Sequence, residues 1–510
     1  MAPVIRIYRS GELISETEGE PGETLLNHIK AVGVYLDAPC GGQGKCGKCK
    51  VRLGRDGAEV PACRTVIASD TDVYLPEELK MEIASAGCAE GYAGAAKRPD
   101  HARLGVAIDI GTTTVVVHLI DTNTGIRVAT ASGVNAQRAY GADVISRIKY
   151  CAENGHETLT SIIREQLASL IKNACAVSGG RARDIAHISI AGNTIMEHIA
   201  AGYSPVSMGK APFTPVSLFG GELPVWERLP VSPSADVFFA PAISAYVGGD
   251  TTAGLLAAEL DQTQGPAVFI DIGTNGEIAM KRGDRYYCCA TAAGPAFEGA
   301  EITMGMAAVS GAVDHVRWEG GLKFSVIGGS VPLGICGSGL LDALAVLLDT
   351  GAVDETGRLL DSHEIDHEIA RHIDKVDGKS VFRLTANKDG VYMTGMDIRK
   401  LQLAKAAIAA GIQTLLNHVG IAETDVKLFV LAGGFGSYMD QHSAARIGMF
   451  PKSFVPVTRT MGNTAGEGAT LVLCSETARD TLEDIRRRCE YVELSTSRVF
   501  NEQFVEQMMF

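Results

Sequence analysis

The chain opens on alternation. VIRIYRSGELISETEGEPGETLLNHIKAVGV holds two runs of alternating apolar and polar positions around a Ser-Gly pair, then a short amphipathic stretch entered at Pro21-Gly22-Glu23-Thr24. Period two predicts two strands joined by a turn, and the spacing after it predicts a helix. A cysteine-rich loop follows, and then a further strand, CKVRLG, which runs into a turn at Arg55-Asp56-Gly57. Residues 80–103, KMEIASAGCAEGYAGAAKRPDHAR, are rich in Ala and Gly and lack apolar periodicity past their first turn, which predicts a linker. Its 24 residues, taken as flexible, have a root-mean-square reach of roughly 27 Å, so a small domain over 1–79 is expected to swing. From Leu104 strand and helix patterns alternate to the end. They also repeat: LGVAIDIGTTTVVVHLID (104–121) and AVFIDIGTNGEIAM (267–280) are each a buried strand ending in Asp, a Gly-Thr turn and a second strand. Two lobes are expected, approximately 104–265 and 266–510.

Composition narrows the class. A chain of 510 residues exceeds one hydrophobic core and predicts about three domains. With 46% apolar and 21% charged residues it reads as an ordinary soluble protein. Apolar runs such as VVVHLI (115–120) fall far short of the roughly 18 residues that a membrane span needs, and no stretch reads as a signal peptide. A net charge of −14 argues against nucleic acid, whose binding needs a basic face. The twelve cysteines are four near the N-terminus and eight scattered, which points to a reducing cytoplasm and one metal site rather than a disulfide framework.

That metal site is DAPCGGQGKCGKCKVRL. Cys40, Cys46 and Cys49 stand on one tight loop whose glycines let backbone amides turn toward sulfur. Zinc competes, but structural zinc usually takes two spaced Cys pairs, whereas one dense loop plus a distant fourth cysteine is the 2Fe-2S ferredoxin arrangement. The fourth ligand is Cys63 in PACRT or Cys88 in the linker, with Cys63 preferred because it follows the strand and turn. Lys45, Lys48, Lys50, Arg52 and Arg55 form a basic rim with no acid between Pro39 and Arg55, a solvated edge or a docking face for an acidic partner.

The repeated turns point to phosphate. Asp109 and Asp271, each at a strand end, suit magnesium-bound water, while turn amides and Thr hydroxyls face phosphate oxygens. In KLFVLAGGFGSYMD a strand runs into Gly433, Gly434, Phe435 and Gly436, where glycines let adenine and ribose lie against backbone. MGNTAGEGA then opens a helix of small residues at Gly462 and Asn463. Asp250 in VGGDTTAG either assists water or magnesium or caps its helix. Glu277 and Glu298 are weaker candidates of the same kind. Cys288 and Cys289 read as buried small hydrophobes rather than ligands, and Ser338 in CGSGLLD either faces a partner's cofactor or caps a helix, with the cap preferred.

Three resemblances follow from these texts. CGGQGKCGKC with PACRT resembles the beta-grasp 2Fe-2S ferredoxin domains. Residues 104–475 resemble the actin, sugar kinase and Hsp70 ATPase superfamily. The implied fold class is α/β, a ribonuclease-H-like two-lobed ATPase, with an N-terminal α+β beta-grasp ferredoxin domain. That resemblance puts Asp109, Gly111, Thr112 and Thr113 at the first phosphate turn, beside Thr114. It puts Asp271, Gly273, Thr274, Asn275 and Gly276 at the second, and adenosine on Gly433 to Gly436 near Asn463. Over nearly the whole chain, SIAGNTIMEHIAAG, PAISAYVGGDTTAG, AAGPAFEGAEI, GICGSGLLD and the ending YVELSTSRVFNEQFVEQMMF resemble the reductive activators of corrinoid-dependent methyltransferases. The resemblance implies an enzyme that uses ATP, Mg2+ and a 2Fe-2S cluster to reduce cobalt(II) in a corrinoid protein to cobalt(I). It also implies an upstream low-potential electron donor and a homodimer through the ATPase domain. An ATP-gated redox sensor and an activator of another low-potential enzyme are the alternatives. Two departures are expected: no C-terminal Cys-x2-Cys-x2-Cys runs for an extra 4Fe-4S domain, and little room for the middle domain of longer bacterial members.

Overall fold

The computed structural model describes residues 2–38, 42, 44, 47–76, 104–299, 301–387, 390–475 and 477–510. Cys40, Cys46, Lys45, Cys88 and the expected linker lie outside these residues.

The N-terminal unit is a mixed sheet gripping one helix. Strands β1 (Val4–Arg9), β2 (Glu12–Glu18), β3 (Lys50–Leu53), β4 (Glu59–Pro61) and β5 (Thr71–Tyr74) lie in the order β2-β1-β5-β3-β4, with β1 and β5 parallel. The Ser-Gly pair turns the first hairpin through positive φ at Ser10 (53°) and Gly11 (84°). Thr24 caps the helix Leu25–Ala31 by accepting from Asn27 N–H at 3.3 Å. Alternation in β1 sends Ile5 and Ile7 inward against Leu25, Leu26 and Ile29, while edge strand β2 buries none of its residues.

Two six-stranded sheets carry the rest. In the first, β6 (Leu104–Ile110), β7 (Thr114–Asp121) and β8 (Ile126–Val134) form an antiparallel meander. β9 (Ile185–Gly192) lies parallel to β6, followed by β11 (Asp236–Phe239) and an antiparallel edge, β10 (Glu222–Pro224). The second repeats the plan with β12 (Ala267–Ile272), β13 (Gly276–Arg282) and β14 (Arg285–Thr291). Two three-stranded sheets intervene, β15 (Ala312–Trp318) with β16 (Leu322–Val326) and β17 (Gly334–Ile335), and β18 (Ile373–Val376) with β19 (Lys379–Arg383) and β20 (Tyr392–Thr394). β21 (Leu428–Ala432) then lies parallel to β12, β22 (Thr458–Thr460) beyond it, and β23 (Cys489–Tyr491) beside β14.

Central strands β6 and β12 are covered on both faces, which explains their unbroken apolar runs. In each, one residue alone escapes full burial: Asp109 and Asp271, at the ends where the turns begin. The small-residue helix Thr464–Cys474 packs closely on the helix Gly249–Ala257, with the Gly468 position against the Ala253 backbone. Its apolar face also covers Ala107 and Ala191 of the first sheet. The chain's late helix thus returns to the earlier half.

The N-terminal unit touches the first sheet's loops. Asp37 pairs with Arg138 at 3.6 Å, and Lys30 lies over the Tyr140 ring at 4.9 Å. Exposed pairs and cation–π contacts of this sort contribute up to about 1 kcal/mol each. Lys30→Ala and Asp37→Ala are therefore expected to change global stability by less than about 1 kcal/mol, yet to speed amide exchange over residues 25–37 and 136–140. Hydrogen-exchange mass spectrometry checks this; the pair Asp37→Arg with Arg138→Asp should restore protection.

Candidate functional site

The two Gly-Thr turns occupy equivalent ends of the two central strands. In the first, Gly111 N–H donates to Thr114 O at 2.9 Å. Asn135 braces it twice at 2.8 Å, with its backbone N–H on Thr113 O and its side-chain amide on Gly111 O. The buried Arg147 guanidinium donates to Thr112 O at 2.5 Å, and burial lowers its pKa to about 9. The second turn is tighter: Ile272 pairs with Gly276, whereas Ile110 pairs with Val115. There Gly273 N–H donates to Asn275 O at 2.9 Å.

Both turns deliver a hydroxyl to one place. Thr113 Oγ1 and Thr274 Oγ1 are 3.0 Å apart, and each donates to the Glu298 carboxylate at 2.9 Å. The threonines of the two Gly-Thr turns thus meet between the two sheets.

Around these turns stand buried carboxyls. Burial, then the charges of Asp250 and Asp271, push Asp109 up to about 8, opposed by the Asn463 amide, which donates to Asp109 Oδ2 at 2.8 Å. Burial and then Asp250 push Asp271 up to about 7. Burial likewise raises Asp250 to about 6, opposed by hydrogen bonds from Thr251, whose N–H lies 2.7 Å from Asp250 Oδ1. Asp250 sits in the first turn of the helix Gly249–Ala257, but Gly248 occupies the cap position and no side chain caps it. The helix-cap reading of Asp250 is therefore corrected, and its carboxyl belongs with the other two aspartates. Glu277 joins them, held well above the carboxylate range by burial, then by Asp250 and Asp271.

Asn463 serves both ends of one contact: its carbonyl accepts from Gly466 N–H at 2.8 Å, capping the helix Thr464–Cys474, while its amide reaches Asp109. Gly433 is required by a close approach. It stands at φ 89°, and a Cβ there would lie 2.4 Å from Asp271 Oδ1. Gly434 opens onto free space, and Phe435 stacks on Phe297 with centroids 5.2 Å apart.

Sequence reasoning missed Glu197. It lies on the helix Thr194–Ala201, fully buried, with its carboxyl against the Gly192 and Gly249 backbone N–H groups. Burial and then the Asp250 charge hold it well above the carboxylate range. Its signal was the Asn-x-x-x-Glu of GNTIMEH, in which Asn193 caps the helix that follows β9. Ser338 is a second correction: the helix Gly337–Asp349 has Cys336 at its cap position, and Ser338 lies 3.4 Å from the Cys336 sulfur instead. Cys288 and Cys289 are buried, as expected.

Of the cysteine loop, Cys49 is buried just before β3, and Cys63 lies in the turn Ala62–Arg64. Ala62 N–H donates to Cys49 O at 2.8 Å, which ties the two cysteine segments together. Gly42, at φ 91°, passes so near that a Cβ there would lie 3.9 Å from Cys63 Cβ. Arg64 holds the same loop by donating to Gly44 O at 2.7 Å. A cysteine-bearing loop drawn against a second cysteine segment fits a thiolate-held cluster. In the basic rim, Lys50 pairs with Glu59 at 3.0 Å.

Comparison with known proteins places this architecture. A family model described as the C-terminal domain of RACo, the ASKHA domain, matches residues 265–510, and one described as the RACo middle region matches 104–263. The corrinoid activation enzyme RamQ of Eubacterium limosum is 39% identical over 423 residues, covering 80% of this chain and 70% of RamQ. The chain belongs to the RACo family. A [Co(II) methylated amine-specific corrinoid protein] reductase of Methanosarcina barkeri is 24% identical, over 80% of this chain and 77% of the relative. A solved structure, the reductive activator for corrinoid,iron-sulfur protein, aligns over 100% of this chain and 98% of its own, at 28% identity and a TM-score of 0.73. The expected lack of room for a middle domain is corrected by the second model: in this RACo-family chain the residues read as a first ATPase lobe match the middle region itself.

Two predictions follow from the buried carboxyls. Gly433→Ala places a methyl against Asp271 in a left-handed conformation and should cost roughly 2–4 kcal/mol in urea unfolding. Asp109, Asp250 and Asp271 bind protons more tightly folded than unfolded, so between about pH 4 and pH 8 the native state holds the extra protons. Their contribution is present below the unfolded pKa and is lost as pH rises through the folded values. Each carboxyl in its window contributes a slope of about 1.4 kcal/mol per pH unit. Asp109→Asn should flatten stability against pH, most visibly between about pH 5 and 8, as read by thermal melts.

Proposed function

We propose that the chain carries out ATP-dependent reductive activation of a corrinoid protein, returning its cobalt(II) to the methyl-accepting cobalt(I) state. A 2Fe-2S cluster held by Cys40, Cys46, Cys49 and Cys63 supplies the one electron, and an upstream low-potential donor replaces it. The observation that carries the reading is the convergence of Thr113, Thr274, Asp109, Asp250 and Asp271 in one cleft, within a RACo-family chain that also bears the cysteine loop. Gly111 to Thr114 and Gly273 to Gly276 take the phosphates. Gly433 to Gly436 take the adenosine, with Asn463 steering Asp109. Magnesium, which keeps several waters and takes one or two carboxylates together with substrate phosphates, would be held beside Asp109 and Asp271. The homodimer through the ATPase region belongs to the same reading.

Magnitudes decide what nucleotide does. Plant-type 2Fe-2S centres lie near about −400 mV, and the family resemblance puts the cobalt(II)/cobalt(I) couple lower still. A conformational coupling of about 1–3 kcal/mol is worth only roughly 40–130 mV for one electron. Nucleotide therefore acts on the complex, closing the cleft and changing affinity for the corrinoid protein so that cobalt ligation changes and the partner is released.

The test is anaerobic. Reduced protein is mixed with a cobalt(II) corrinoid protein and ATP or a non-hydrolysable analogue, and cobalt(I) is followed optically. ATP should raise yield or turnover, and Asp271→Asn should lower the ATP-dependent rate roughly 100-fold. Cys63→Ser should lose the cluster absorption that Cys88→Ser keeps. No effect of nucleotide on yield or turnover defeats the coupling.

A further inference from the structure

Between the two phosphate-type turns lies a carboxylate. Glu298 closes the short turn Pro295–Glu298, and its two oxygens take one hydrogen bond each, Oε2 from Thr113 and Oε1 from Thr274, both at 2.9 Å. Each threonine hydroxyl has a single hydrogen. Both are spent on Glu298, so the 3.0 Å approach of the two hydroxyl oxygens is held by the carboxylate rather than by a bond between them. Two anionic oxygens bridging two facing hydroxyls is also how a terminal phosphate would sit there. The same donors cannot serve both anions.

The turn that carries Glu298 has its own freedom and its own second contact. It is bounded by Gly294 and Gly299 at φ 78° and 75°. Its Phe297 stacks on Phe435, with 12° between the ring planes. One four-residue turn therefore touches both phosphate turns through Glu298 and the Gly433–Gly436 segment through Phe297.

We infer that Glu298 is a positioning residue that stands in for the terminal phosphate when the cleft lacks nucleotide, holding Thr113 and Thr274 together until nucleotide displaces it. The inference rests on the nucleotide reading above and specifies how that site is kept in register while empty. Displacement frees the Glu298 turn, and through Phe297 the rearrangement reaches the adenosine side.

The test measures MgATP and MgADP binding to the full chain by calorimetry, with amide exchange alongside. Removing the competing carboxylate in Glu298→Ala should tighten MgATP binding roughly 10-fold. Without nucleotide it should speed exchange at residues 111–114 and 273–276, and with nucleotide leave that exchange as in the wild type. A role confined to supporting the fold would lower the melting temperature and leave affinity unchanged or weaker. Wild-type binding with equal or weaker binding by Glu298→Ala overturns the inference. Should the alanine variant fail to fold, Glu298→Gln carries the same decision, since it keeps the volume and loses the charge. Failure of the wild type to bind MgATP and MgADP at all overturns the nucleotide reading itself, a result distinct from binding that Glu298 does not oppose.

Discussion

The rest of the molecule is organised around half-buried carboxyls near the ends of two strands. Asp109 and Asp271 close β6 and β12, strands that are apolar because both faces are covered, and Asp250 reaches the same region from a helix start. Carboxyls taken from water toward one another resist ionisation, which is why all three lie above their ordinary range. The fold tolerates this by surrounding them with donors and close backbone: Asn463 on Asp109, Thr251 on Asp250, and Gly433 with no side chain against Asp271.

Contacts tie the N-terminal unit to the loops beside this centre. Tyr35 donates to Asp37 at 3.3 Å and Asp37 pairs with Arg138, while Arg147 separately grips Thr112 O in the first turn. Asp37 stands two residues before Pro39, at the entrance to the cysteine loop. Contact alone transmits nothing; coupling needs an element with two arrangements. The Glu298 turn is the segment whose bonds ligand would contest on the proposed reading, and Thr113, which it holds, neighbours the residue that Arg147 holds.

Much of this was legible in sequence, and the limits have physical causes. Repetition of Ile-Asp-Ile-Gly-Thr gave the two central strands and their turns because a strand covered on both faces must be apolar until its last exposed residue. The β1–β2 hairpin and the Thr24-capped helix were readable because their signals are local. Glu197 and Arg147 were not, since their importance comes from burial and partners far along the chain: Arg147 matters through Thr112, 35 residues earlier. Asp250 and Ser338 illustrate the opposite failure. Both stand near helix starts where capping is the natural reading, but the cap positions belong to Gly248 and Cys336. The return of the helix Thr464–Cys474 to the first sheet was likewise hidden, because small residues record close packing without saying against what.

On the nucleotide reading proposed above, the tension between carboxyl charge and phosphate pairs the nucleotide with a cation. An anion entering beside Asp109, Asp250 and Asp271 meets repulsion from any that are ionised, and it competes with Glu298 for the two threonine hydroxyls. A divalent ion removes the first obstacle by compensating carboxylates and phosphates at once. The second is removed only by moving Glu298. Charge neutralisation and turn movement are thus separate requirements, and a ligand that meets one without the other leaves the turns bridged as they are. Because Thr113 and Thr274 come from different sheets, whichever anion holds their hydroxyls fixes the spacing of the lobes. On the proposed reading, lobe closure and phosphate recognition are then the same event, written in two hydrogen bonds.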